Sequence, residues 1–238
     1  MNILLELLAL SEANGKNLLG LTIGKKKITE QTPNEPWPGN FDCYNNQLTS
    51  LEFCPKKVGG DFDCSYNIIN SLKHGPETVG GDFNCTHIKL TTLEFCPKEV
   101  GKDFYCSNNE ITSLAGAPAK IGGGFNTTNN ITSLAGVPAK IGGGKNINES
   151  VYNNNITSLK DIQKWLKKMN GTFYAHNNPI KSHVIGLLLI PGCKSVTLDN
   201  KEVEEILNKH LKSPFGHLRL LECQEDLLSA DLREWAEL

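Results

Sequence analysis

Four of the eight cysteines, Cys43, Cys64, Cys85 and Cys106, recur at steps of 21 residues and are the first candidates for chemistry. Thiolates can bind zinc or close disulfides, but zinc sites draw on closely paired ligands and no Cys-x-x-Cys pair occurs. Each of the four lies two residues after a Phe, so on a strand both side chains share one face, and a dry face makes Cys a small hydrophobe. Cys54 and Cys96 fall where other units are read as carrying Gly75, Gly116 and Gly136, which speaks against ligation. Cys193 and Cys223 have no His at nucleophile spacing. The histidines His74, His87, His176, His183, His210 and His217 form no His-Glu-x-x-His set. Gly142 to Asn146 has the wrong spacing for a phosphate loop and lacks Ser or Thr after Lys145. Gly59 to Asp63 hints at a calcium coil, yet such coils recur about every nine residues. The expectation is a non-enzymatic protein with no cofactor and no metal.

What must position these residues is a repeat. Phe41, Phe62, Phe83, Phe104 and Phe125 share the 21-residue step. A second block follows each Phe: Leu48-Thr49-Ser50-Leu51, Ile69-Asn70-Ser71-Leu72, Leu90-Thr91-Thr92-Leu93, Ile111-Thr112-Ser113-Leu114, Ile131-Thr132-Ser133-Leu134 and Ile156-Thr157-Ser158-Leu159, with a weaker Ile180-Lys181-Ser182. A third block closes the unit: Pro55/Val58, Pro76/Val79, Pro97/Val100, Pro118/Ile121 and Pro138/Ile141, followed by glycines. A unit this short cannot hold a helical hairpin but suits a coil with one short strand, and such a unit is stable only when stacked on its neighbours. Phe and Cys should then form two inward columns. Asn46, Asn67, Asn109, Asn154 and Asn178 stand two residues before the second block, with Asn129 or Asn130 in the fifth unit and Ile88 the exception, and should form a ladder satisfying buried backbone groups.

The register Pro-x-x-Val/Ile, Phe-x-Cys-x-x-Asn-x-Leu-Thr-Ser-Leu resembles the short leucine-rich repeats of bacterial secreted effectors and, more closely, repeat proteins encoded by bacteriophages, over about residues 40–182. The resemblance implies an α/β leucine-rich-repeat solenoid of parallel strands. It also implies, by analogy alone, a partner among bacterial host proteins such as a defence component, met in the host cytoplasm. Spacing lengthens after Ile131 and after Ile156, with insertions at Asn146 to Val151 and Asp161 to Asn170; Ile162, Trp165 and Leu166 have helical spacing.

Three regions follow: an N-terminal cap over 1–35, a solenoid over 36–182 and a C-terminal strand and helix cap over 183–238. The run from Met1 to Leu10 lacks a leading cation and contains Glu6, so it reads as a capping helix rather than an export signal. Leu19 to Ile28 suggests a hairpin. Lys194 to Leu198 should be a last strand, Asp199 with Glu202 a helix start, His217 to Leu228 a second helix, and Ser229 the cap of a short third one. No apolar run reaches about 18 residues, the length a membrane helix needs. The reading is cytoplasmic, with reduced thiols and with Asn-x-Thr triplets that are products of the repeat.

With 24 Lys and Arg against 26 Asp and Glu, the net charge of −2 gives no field to draw nucleic acid. The informative surface is the outward side of the strands. Its expected partner-binding residues are Asp42, Tyr44, Asp61, Asp63, Asp82, Asn84, Asp103, Tyr105, Asn126, Tyr174 and His176. Stacked acids with interspersed Tyr suit a protein partner with a basic surface, while Asp61, Asp82 and Asp103 have a structural alternative, bonding backbone after the Gly-Gly turns. A monomer or small closed oligomer is expected. A self-assembling scaffold and a nucleotide-sequestering protein are the alternatives; the latter would need Arg or Lys where this face offers acids.

Overall fold

The computed structural model describes residues 16–24, 26–138, 140–142, 149–160, 162–214 and 217–237. The expected capping helix over Met1 to Leu10, the glycines at 143–144 and residues 146–148 of the first insertion lie outside these residues. The strands are β1 (Thr22–Ile23), β2 (Lys26–Lys27), β3 (Phe41–Asp42), β4 (Lys57–Val58), β5 (Phe62–Asp63), β6 (Thr78–Val79), β7 (Phe83–Asn84), β8 (Glu99–Val100), β9 (Phe104–Tyr105), β10 (Lys120–Ile121), β11 (Phe125–Asn126), β12 (Lys140–Ile141), β13 (Glu149–Ser150), β14 (Gly171–Tyr174) and β15 (Cys193–Thr197).

They form a leucine-rich-repeat-like parallel solenoid. Odd-numbered strands from β3, together with β14, make an eight-stranded sheet in the order β15-β14-β13-β11-β9-β7-β5-β3. The third block of each unit, which the sequence reading left as a closing turn, makes a second sheet in the order β12-β10-β8-β6-β4. Pairing in both is parallel and in register, Phe41 with Phe62, Phe62 with Phe83, Val58 with Val79 and Val79 with Val100.

Between the sheets runs a dry core. Phe41, Phe62, Phe83 and Phe104 are fully buried, and their rings stack with Phe125 in one row at centroid spacings of 5.5, 5.2, 5.4 and 5.8 Å. Beside it Cys43, Cys64, Cys85 and Cys106 form the second inward column. The Asn ladder satisfies the bend. Asn67 accepts the Asn46 and Leu48 amides, both at 2.9 Å, and donates to the carbonyls of Cys43, Cys64 and Ser65. Asn109, Asn154 and Asn178 repeat the pattern, and in the fifth unit Asn129 serves rather than Asn130.

The glycines are required by close approach. A Cβ on Gly80 would stand 2.3 Å from the Gly59 carbonyl oxygen, and one on Gly101 2.0 Å from that of Gly80. Successive coils therefore meet backbone to backbone at this corner.

Both ends are covered. The β1–β2 hairpin and buried Leu18 and Ile28 lie over the first coil, where Trp37 packs edge-on against Phe41 at 5.1 Å. At the other end β15 extends the main sheet, so the strand expected within the cap is continuous with the solenoid. The second insertion forms one helical turn, α1 (Ile162–Trp165), and buries Ile162 and Leu166. Two longer helices follow, α2 (Lys201–Leu211) and α3 (His217–Ser229). The start of α2 differs from expectation: Asn200 is the cap, accepting the Val203 amide, while Asp199 accepts the Asn177 and Asn178 amides and closes the solenoid's bend. Ser229 is the last residue of α3 and caps nothing; the short terminal helix is a 3-10 turn over Arg233–Ala236. Asn208 of α2 seals the sheet edge by offering its amide to Val196, donating to the carbonyl and accepting from the N–H.

Candidate functional site

The outward side of the eight-stranded sheet contains two kinds of residue. The first kind holds the backbone. The Asn40 side-chain oxygen accepts the Asp61 amide, Asp61 accepts that of Asp82, Asp82 that of Asp103, and Asp103 that of Gly124, each at 2.6–2.9 Å. This is an aspartate ladder parallel to the asparagine one. It explains the preceding glycine, because a Cβ on Gly81 would stand 2.0 Å from the Asp61 carboxylate. Hydrogen bonding from the Asp82 amide and the Lys102 ammonium holds the Asp61 carboxyl below its usual range. Asp61, Asp82 and Asp103 thus fulfil the backbone role first, and their charge is available to a partner only in part.

The next outward column is also knitted together. Asp63 accepts the Ser65 amide and hydroxyl and receives a bond from Asn84 at 3.1 Å. Asn126 accepts from Ser107 at 2.9 Å. Tyr105, expected as an adaptable anchor, donates its hydroxyl to Asp103 at 2.8 Å; burial and that bond push its pKa up to about 12. Tyr174 is half-buried and meets His176 edge-on, while His176 stacks flat on Tyr152 at 5.0 Å. Of the expected residues, Asp42 and Tyr44 are the freest: Asp42 is exposed and accepts only the Tyr44 amide, and the Tyr44 ring is 47% exposed.

The second kind of residue was missed by the sequence reading. Tyr66, 49% exposed, meets Tyr44 edge-on at 5.4 Å and stacks on His87 at 4.4 Å with the planes 15° apart. Tyr66 and His87 stand four residues after their Phe, with φ of 55° in each case. Asn45, Asn108, Asn153 and Asn177 hold the same left-handed place in other coils. The signal was present in the sequence as two aromatic rings where the repeat otherwise writes Asn, but strand alternation directs attention to the strand and not to the turn that follows. Exposed Ile68 lies two residues beyond Tyr66.

The convex edge has a similar substitution and corrects the cysteine alignment. Cys54, Gly75, Cys96, Ala117 and Val137 are equivalent, each donating its amide to the preceding core Leu. Gly116 and Gly136 instead match Phe53, His74 and Phe95, all left-handed at φ of 66–89°.

Metal and thiol chemistry find no support among the described residues, where no group of three or more His, Cys, Asp or Glu is placed to hold an ion. All eight cysteines are free. The column thiols point along the solenoid at the next coil's carbonyl, Cys43 to Asp63 at 3.3 Å and Cys85 to Tyr105 at 3.4 Å. Burial raises the Cys64 and Cys85 thiols far above their ordinary range and Cys106 to about 12, so they stay protonated and unreactive.

One cluster has the elements of acid–base chemistry. The Ser158 and Ser182 hydroxyls lie 3.0 and 2.6 Å from His183 Nδ1, and Glu237 lies 3.3 Å from Nε2. Its origin is the repeat. Ser50, Ser71, Ser113, Ser133 and Ser158 each accept the amide two residues on, and His183 takes the place of the core Leu that follows this Ser elsewhere. Two hydroxyls share one nitrogen, and the arrangement fastens the terminal turn to the last coil.

No helix of the described residues is long and apolar enough to cross a membrane. No protein-family model matches the chain, and neither curated proteins nor solved structures give a match.

Proposed function

We propose that the chain is a non-enzymatic binding module that grips a basic protein through the outward side of its first four coils. The observation that carries this reading is a face with Asp42 and Asp63 on its strands and Asp61, Asp82 and Asp103 just before them, beside exposed Tyr44 and Tyr66. Carboxylates steer a basic partner and set its register, while rigid aromatic rings supply contact area at low entropic cost. The sealed sheet edge at Asn208 favours a closed species over a filament, since an open strand edge is what templates assembly. The resemblance to phage-encoded repeat proteins makes bacterial host proteins, defence components included, the first partners to test, in the host cytoplasm.

The test is affinity capture from a bacterial lysate with wild type and with Asp42→Lys/Tyr44→Ala, alongside light scattering of the purified protein. Specific capture lost in the double variant supports the reading. Capture unchanged in that variant would move the binding surface to residues 183–238.

A further inference from the structure

We propose that the Tyr44, Tyr66 and His87 row is the recognition element of this face, and that it receives an arginine side chain of the partner, whose guanidinium continues the stack beyond His87 over Asn108. This rests on the binding reading above and names the chemistry of its contact. Three observations carry it.

First, the rings are placed at a cost. A side chain with a Cβ is disfavoured at positive φ, and Asn, Asp and His tolerate that region better than Tyr, so the cost falls on Tyr66. Asn45, Asn108, Asn153 and Asn177 adopt it in this chain. The rings of Tyr66 and His87 are exposed, so they bury no core that would compensate. Backbone strain at a surface position is a mark of a site that touches something else.

Second, the row is directional. Tyr66 and His87 are nearly parallel and stacked along the solenoid axis, as successive rungs. The next rung of the same column is Asn108, exposed and without a ring. The far face of His87 therefore meets no ring at the next rung, one coil spacing or roughly 4.8 Å away, which is the separation at which a flat group lying over Asn108 would continue the stack.

Third, the surroundings select a cation. The strand side of the row carries Asp42 and Asp63, and Glu110, exposed, follows Asn108 by two residues, against one cation, Lys89, at the equivalent place after His87. A planar cation satisfies both features, since guanidinium stacks flat on aromatic rings and pairs its fork with carboxylate. An ammonium keeps the charge and a point contact with a ring face, but neither the flat stacking nor the fork.

The experiment uses the full chain with Tyr66→Asn, His87→Asn and Asp63→Lys, and measures anisotropy of labelled hexaarginine, hexalysine and hexaglutamate at physiological salt. Hexaarginine should bind more tightly than hexalysine, and hexaglutamate should not bind. Each Asn variant should weaken hexaarginine by about tenfold, the size of a partly desolvated cation–π contact, and weaken hexalysine distinctly less. Because the variants install the residue that sibling coils use, their melting temperatures should stay at or above that of wild type. Equal affinity of wild type and both Asn variants for hexaarginine overturns the proposal, as does a large loss of melting temperature, which would make the rings structural. If Asp63→Lys weakens both basic peptides while the Asn variants do not, the acidic face stands and the stack fails. If wild type binds neither basic peptide, both readings fail.

Discussion

Removing one rung of the asparagine ladder gives the sharpest test of how this fold is held. Asn67 is 5% exposed and makes five hydrogen bonds, two accepted and three donated. Leucine has nearly the same shape and none of that capacity. In Asn67→Leu the amides of Asn46 and Leu48 lose their acceptor, at about 1–3 kcal/mol each, and the carbonyls of Cys43 and Cys64 lose a donor. The Ser65 carbonyl keeps the Asn45 amide. Allowing for the apolar surface gained, the net loss should be about 3–4 kcal/mol, or roughly 10 °C in melting temperature for a chain of this size. Urea denaturation followed by circular dichroism measures it, with exposed Asn70→Leu as a control expected within about 0.5 kcal/mol of wild type. The reverse change tests the same logic, because Ile88 already interrupts the ladder and the Asn67 and Ile69 amides find no acceptor among the described residues. Ile88→Asn should be neutral or stabilising despite burying a polar side chain. A loss under about 1 kcal/mol for Asn67→Leu, together with a large loss for Ile88→Asn, would refute the ladder as the source of stability.

Gly101→Ala should destabilise by several kcal/mol or prevent folding, since its Cβ would meet a backbone oxygen at 2.0 Å, whereas Gly39→Ala, with nothing within 4 Å, should be silent in the same thermal melt. The column thiols should resist Ellman's reagent at pH 8 until denaturant is added; rapid labelling of Cys64 or Cys85 in the native protein would contradict their burial. The same thiols set an alkaline limit. The native pKa of Cys106 is raised to about 12 while the unfolded thiol ionises near its ordinary value, so the stabilisation is complete below about pH 8.5 and is lost as pH rises toward 12. Denaturation midpoints between pH 8 and 11 should therefore fall, and a Cys106→Ala variant should fall less steeply. Asn208→Ala, which exposes the Val196 edge of β15, should shift the protein toward larger species in light scattering; a strictly unchanged mass would show that the edge is protected by other means.

The architecture was legible because a 21-residue step leaves one arrangement in which Phe, Leu and Val can all be buried, and the Asn at a fixed offset named its own task. The second sheet was not legible. Lys57–Val58 and its equivalents are two residues long, too short for alternation to register, and only the stacking of coils turns them into a ladder. The C-terminal cap was read with the right elements and wrong details, since Asp199 and Asn200 are both good capping residues and the solenoid's need for an acceptor at Asn177 and Asn178 decides between them. The expected residues do lie on the outward side of the strands, but several of them are tied up in bonds within the face. Tyr105 is tied to Asp103, and Tyr66 and His87 stood outside the strand pattern that generated the expectations.

In a stacked repeat, whatever recurs in every coil is explained by the stacking, and this applies to charge as well as to apolar residues. Asp61, Asp82 and Asp103 make an acidic stripe because each seals the amide of the next coil, so the stripe alone is weak evidence for a basic partner. A partner shows itself where a coil departs from the motif in a direction that does not help it fold. Asn at the left-handed position is a low-energy solution and most coils use it; Tyr66 abandons it at a backbone cost, His87 does so without a folding gain, and the two rings gain only contact with each other and with Tyr44. Phe53, His74 and Phe95 do the same on the convex edge without forming a continuous row, so they lack the geometry that would present one planar group to another. A partner that recognises this solenoid must read the departures, because the recurrent positions look alike from coil to coil and could not fix its register. On the binding reading proposed above, the discriminating contact is the Tyr44 to His87 stretch of the strand face, with the aspartates acting as the field around it.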